Sequence, residues 1–130
     1  MKFRYLVLII LSFMLFGCYE GYIGKEGKTL TQYLEPEALK ALTENLDDNI
    51  WIIDVRPASA YKRGHIPGAK SFPSSAIMEQ LNLLPKDTYM IFYCETGGRA
   101  QKVIKQLEEV GYTRVMNWGG YTKWKWELVS

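Results

Sequence analysis

The stretch Tyr89-Met90-Ile91-Phe92-Tyr93-Cys94-Glu95-Thr96-Gly97-Gly98-Arg99 decides the fold. Five residues of near-continuous apolar character, Tyr89 to Tyr93, fit a strand buried on both faces, as in a parallel sheet. Cys94 stands at the C-terminal end of that strand. Two glycines then allow a tight turn. A helix follows, its buried face marked by Val103, Leu107 and Val110 with Ile104 beside them, and Gly111 fits its C-terminal cap. Working outward, Ile50-Trp51-Ile52-Ile53 reads as a second buried strand leading into Asp54-Val55-Arg56-Pro57. A short helix runs from near Pro57 to Gly64. His65-Ile66-Pro67-Gly68-Ala69 is a turn, and Lys70-Ser71-Phe72 a short strand. Ser75 to Leu83 is expected to be helical. Arg114-Val115-Met116-Asn117-Trp118 forms the last strand, followed by Gly119-Gly120 and a Trp-rich terminal helix. Upstream, Glu35-Pro36-Glu37 opens a helix, since Pro suits a first turn and acids complement the dipole. Leu39, Leu42 and Leu46 give its apolar stripe. Strands alternating with helices predict an α/β domain, a central parallel sheet with helices on both faces.

The 130 residues fit one domain. Aromatic residues make up 14% of them, which excludes a disordered chain. The net charge of +2 gives no support to nucleic-acid binding. Residues 1–17 differ in kind: Lys2 and Arg4 precede an apolar run from Tyr5 to Phe16, the anatomy of a signal peptide. The run is shorter than the roughly 20 residues of a membrane span. Leu15-Phe16-Gly17-Cys18 resembles a bacterial lipobox, which implies cleavage before Cys18 and lipid on its sulfur. The expected organisation is a lipoprotein signal at 1–17, a flexible Gly-rich tether at 18–30 and the folded domain at 31–130. Cleavage leaves 14 basic residues against 14 acidic ones. The expected location is the cell envelope, lipid-anchored and facing the periplasm. Tyr19 in place of an inner-membrane retention Asp points to the outer membrane in a Gram-negative cell.

Lipidation of Cys18 leaves Cys94 as the lone thiol in an oxidising compartment, which suggests a reactive sulfur. Ligands of open α/β sheets bind outside the carboxyl ends of strands, where Cys94 stands. The following helix offers unpaired N–H groups and positive potential, and both favour a thiolate. Gly97 and Gly98 let several N–H groups turn inward as an anion nest, and Arg99 is expected to close the loop with a fixed positive charge. Cys-based phosphatases separate Cys from Arg by five residues. Only four separate Cys94 from Arg99, a loop better sized for a sulfur atom, so phosphatase or arsenate reductase chemistry is the lesser alternative. Asp54 and Arg56 are expected to form a pair that fixes the loops, with Arg56 able to attract an anion. His65, the sole histidine, reads as structural rather than as a base. One His and no Cys pair give no metal spacing, and no cofactor is expected.

Asp54-Val55-Arg56, Gly64-His65-Ile66-Pro67-Gly68-Ala69, Tyr93-Cys94-Glu95-Thr96-Gly97-Gly98-Arg99, Gly111-Tyr112 and Gly119-Gly120 with Trp124 together resemble a single-domain rhodanese, from about Leu34 to Trp126. The resemblance implies a rhodanese fold and sulfurtransferase activity. Cys94 would take a sulfane sulfur from a small donor as a persulfide and pass it to a thiol or cyanide, and the N–H groups of Glu95 to Arg99 would stabilise that persulfide. It implies no cofactor and a monomer. The alternative is a sulfur-carrier or redox-sensing module serving a protein partner. The sequence departs from the family pattern at two positions. Glu95 puts a carboxylate beside the nucleophile, which repels a dianionic donor such as thiosulfate. Ala100 stands where a Ser is common.

Overall fold

The structure, a computed structural model, describes residues 20–130. The signal segment 1–17 and Cys18 lie outside the described residues.

Four strands form one sheet: β1 (Ile50–Asp54), β2 (Lys70–Ser71), β3 (Tyr89–Cys94) and β4 (Val115–Gly120), in the order β2-β1-β3-β4. Every neighbouring pair is parallel. Three helices cover it: α1 (Pro36–Glu44), α2 (Ala58–Arg63) and α3 (Gly98–Glu109). The apolar runs of β1 and β3 make a two-sided core. Phe92 and Cys94 face the layer holding Val103, Ile104 and Leu107 of α3. Their neighbours Ile91 and Tyr93 face the layer holding Leu39 and Leu42 of α1. The expected parallel sheet with helices on both faces is what forms. The chain leaves β1 toward β2 on one side and returns to β3 on the other. The strand order therefore reverses between β1 and β3, where a parallel sheet opens a crevice for ligands. Asp54 and Tyr93 lie opposite each other at that point.

Five expectations are corrected. The first concerns the tether: from Gly21 onward it is folded into the domain. Gly21 N–H donates to Asn117 O (2.8 Å), Gly24 N–H to Val115 O (2.8 Å) and Glu26 N–H to Thr113 O (2.9 Å), while Asn117 N–H donates to Tyr22 O (2.8 Å). Ile23 and Met116 are antiparallel partners, so this strap covers the free edge of β4. A 3₁₀ turn follows at Lys28–Leu34 and buries Leu30. The glycines read as flexibility serve close approach instead. A Cβ at Gly24 would stand 2.6 Å from Thr113 O, and one at Gly27 2.5 Å from Val115 O.

Second, the terminal Trp-rich segment is not a helix beyond the 3₁₀ turn Tyr121–Lys123. Val129 exchanges two backbone hydrogen bonds with His65 (2.9 Å each), which holds the chain extended. Third, Ser75–Leu83 forms two 3₁₀ turns, Ile77–Glu79 and Leu81–Leu83, rather than one helix. Fourth, Leu46 is half exposed because α1 ends at Glu44. Fifth, Val110 is exposed because it caps α3, one residue past the helix.

Candidate active site

Cys94 is the last residue of β3 and is 1% exposed. The chain must turn at once to begin α3, and Gly97 makes the turn in the left-handed region (φ 99°, ψ −16°) as the N-terminal cap. That geometry points the Gly97 N–H at the sulfur: it donates to Cys94 Sγ at 2.9 Å. Glu95 and Thr96 are exposed on the crown of the loop, Gly97 is buried and Gly98 half-buried. Among the described residues, Gly97 is the loop amide that reaches Sγ. Arg99, expected to close the loop, is exposed on the first turn of α3. It lines a cleft of about 330 Å³ with Ser74, Ser75, Lys102, Val103 and Gln106. On the other side, Glu95 lines a cleft of about 150 Å³ with Arg56, Arg63, Tyr121 and Leu128 among its walls.

The Asp54–Arg56 pair is present and buried. Arg56 Nη2 donates to Asp54 Oδ2 (2.7 Å) and to Gly64 O (2.7 Å), and Arg56 Nε reaches both Asp54 oxygens (3.1 Å each). Arg56 N–H also donates to Asp54 Oδ1 at 2.9 Å. Tyr93 joins the network: its hydroxyl donates to Asp54 Oδ2 (2.8 Å) and accepts from Ile66 N–H (3.1 Å). Burial first, and then the Asp54 charge, push the Tyr93 hydroxyl well above its ordinary pKa, so it remains a donor. The guanidinium lies 4.5 Å from the Tyr121 ring centroid. Arg56 is thus committed to holding the turn 64–66 against β1 and β3. His65 stacks on Tyr61 with centroids 3.7 Å apart, and its Nδ1 lies 2.8 Å from Tyr61 O, a structural placement. Among the described residues no group of His, Cys, Asp and Glu could hold a metal ion.

Sequence reasoning missed Asn117, Gln101 and the role of Gly120. Asn117 is wholly buried. Its Nδ2 donates to Gly97 O (3.0 Å) and to Gln101 Oε1 (3.2 Å), and its Oδ1 accepts from Gly119 N–H (2.9 Å). The register explains its reach. Phe92 faces Asn117 but Tyr93 faces Gly119, so Trp118 bulges out of the ladder and Gly120 comes opposite Cys94. A Cβ at Gly120 would stand 2.3 Å from Glu95 O, so the loop rests directly on the backbone of β4. The readable signal was an amide side chain inside an apolar strand, two residues before a Gly pair. Asn117→Ala is expected to release the Gly97 peptide and lower the turnover of any Cys94 chemistry by about 10- to 100-fold, the scale of a small misplacement. The check is kcat alongside amide exchange at Gly97: unchanged exchange would show that Asn117 does not hold the loop.

Together, the strand-order reversal and a cysteine sulfur met by a helix-initiating amide define a class: a parallel α/β domain with a buried thiol at the carboxyl end of a central strand. A family model described as Rhodanese-like domain matches residues 35–127, and the chain belongs to that family. It is 35% identical over 89 residues to the "Putative sulfurtransferase YtwF" of Bacillus subtilis (strain 168), covering 67% of this chain and 86% of that protein. It is 31% identical to a "Sulfurtransferase" of Allochromatium vinosum, covering 65% and 82%. Among solved structures, a rhodanese-like domain protein of Staphylococcus aureus superposes with a TM-score of 0.63 at 32% identity, covering 72% of this chain and 92% of that one.

Proposed function

We propose that this chain is a sulfurtransferase that carries a sulfane sulfur on Cys94. The observation that carries the reading is the Gly97 N–H on Cys94 Sγ at the carboxyl end of β3. A donor fixed on the protein is worth most where negative charge develops, and here that is the sulfur. The Cys94 thiolate attacks the outer sulfur of a donor, and the donor's sulfur bond breaks with its electron pair leaving on the departing anion. Cys94 is then a persulfide. An acceptor nucleophile, a thiolate or cyanide, attacks the terminal sulfur, and the Cys94 thiolate leaves. No metal or organic cofactor takes part, and the two steps together involve no net redox change. Glu95 on the crown of the loop disfavours a dianionic donor.

The test is incubation with sulfane donors of different charge, followed by cyanide. Thiocyanate release together with a 32-dalton gain on the peptide containing Cys94 is the expected result. A persulfide that forms without turnover would point instead to a sulfur-carrier module, and no modification by any donor would sink both readings. We further propose that Cys18 carries lipid and holds the domain at the cell envelope, a reading supported by the Leu15-Phe16-Gly17-Cys18 signal.

A further inference from the structure

We infer that the edge of the domain carrying the Cys94 loop is held against a lipid bilayer, so that sulfur transfer takes place at the membrane surface. The inference rests on the proposed lipidation of Cys18 and adds the orientation that this anchor imposes. The strap runs antiparallel to β4: Glu26 pairs with Thr113, Gly24 with Val115 and Gly21 with Asn117. Followed backward toward Cys18, the chain therefore climbs toward the C-terminal end of β4. Glu20 is already there. Its Cγ lies 3.4 Å from the position a Cβ would take on Gly119, and its carboxylate accepts from Lys123 Nζ at 2.6 Å. Gly120, the next residue of β4, is the register partner of Cys94.

The reach of the anchor follows from chain dimensions. Only Tyr19 separates Glu20 from Cys18, two chain steps that reach at most about 7 Å. A free tether of 13 residues would have allowed about 45 Å. The strap, β4 and β3 lie side by side at about 4.8 Å per strand, which puts Glu20 about 10 Å from the β3 strand. Lipid on Cys18 would thus hold the Cys94 end near the headgroups and direct the opposite end, where β3 begins after Asp87, away from them. The donor or acceptor this geometry suits is one presented at the bilayer surface.

The experiment uses the full-length protein purified with its lipid and reconstituted into phosphatidylcholine vesicles bearing a headgroup nitroxide. A single fluorophore is placed on Thr122→Cys, at the anchored edge, or on Asp87→Cys, at the far end; both positions are exposed, and both variants also carry Cys94→Ser. Quenching several-fold stronger at 122 than at 87 is expected. Equal quenching with lipid confirmed on Cys18 by mass spectrometry would overturn the orientation alone. Absence of lipid on Cys18 would overturn the anchoring reading and this inference with it, while leaving the chemistry of Cys94 untouched.

Discussion

Cys94→Ser is expected to reduce sulfur transfer to background while leaving the fold intact. The two halves of that statement have separate causes. A serine hydroxyl is not ionised near neutral pH and forms no persulfide, so the covalent route is removed rather than slowed. The fold has little reason to respond. The site is 1% exposed, serine is nearly the same size, and its oxygen can accept the Gly97 N–H that now meets Sγ at 2.9 Å. A stability change of about 1 kcal/mol or less is expected, the scale of one net hydrogen bond. Thiocyanate release and urea unfolding of the variant check both halves. Residual turnover above one-thousandth of wild type would place the sulfur elsewhere and end the Cys94 reading. Loss of folding would show that the sulfur is needed for packing.

Asp54→Ala is expected to be the most destabilising change at the site without touching Cys94. Asp54 is fully buried and accepts hydrogen bonds from Arg56 and from the Tyr93 hydroxyl. Its removal leaves a guanidinium that is 4% exposed with no carboxylate, and a buried phenol with no acceptor. Breaking a buried pair from one side costs about 3–5 kcal/mol, against a total stability of about 5–15 kcal/mol for a domain. The fall in the urea midpoint reads this directly. Asp54→Ala combined with Arg56→Ala is expected to cost clearly less than the two single changes added together, because the second removal takes away the stranded charge. Strict additivity would mean that the pair is not a unit. Activity should fall along with stability, since the same network fixes the turn 64–66 beside the loop.

Much of the molecule was legible in the residues alone, for a physical reason. Buried parallel strands read as unbroken apolar runs, and Ile50–Ile53 and Tyr89–Tyr93 became β1 and β3. A Cys followed by Gly-Gly before a helical pattern places a sulfur at a helix start, because only a left-handed Gly such as Gly97 turns so tightly there. The buried partnership of Asp54 and Arg56 follows from two opposite charges placed beside an apolar strand. What the residues could not reveal depends on partners distant in the chain. The glycines of the strap signalled freedom locally. Their close approach to Thr113 and Val115 is set by a strand about ninety residues away. The terminal tryptophans read as a helix, but the antiparallel bridge of Val129 to His65 keeps that segment extended. Arg99 lay near the sulfur in sequence, but helix geometry carries it to the rim. Asn117 lay far from the sulfur in sequence, and a bulge at Trp118 brings its amide under the loop. The sequence by itself therefore determined the kind of sheet and that Cys94 ends its central strand. Only the tertiary structure decided which side chains hold its loop, and toward which edge the N-terminal strap leads, because both depend on the register of β4 against its two neighbours.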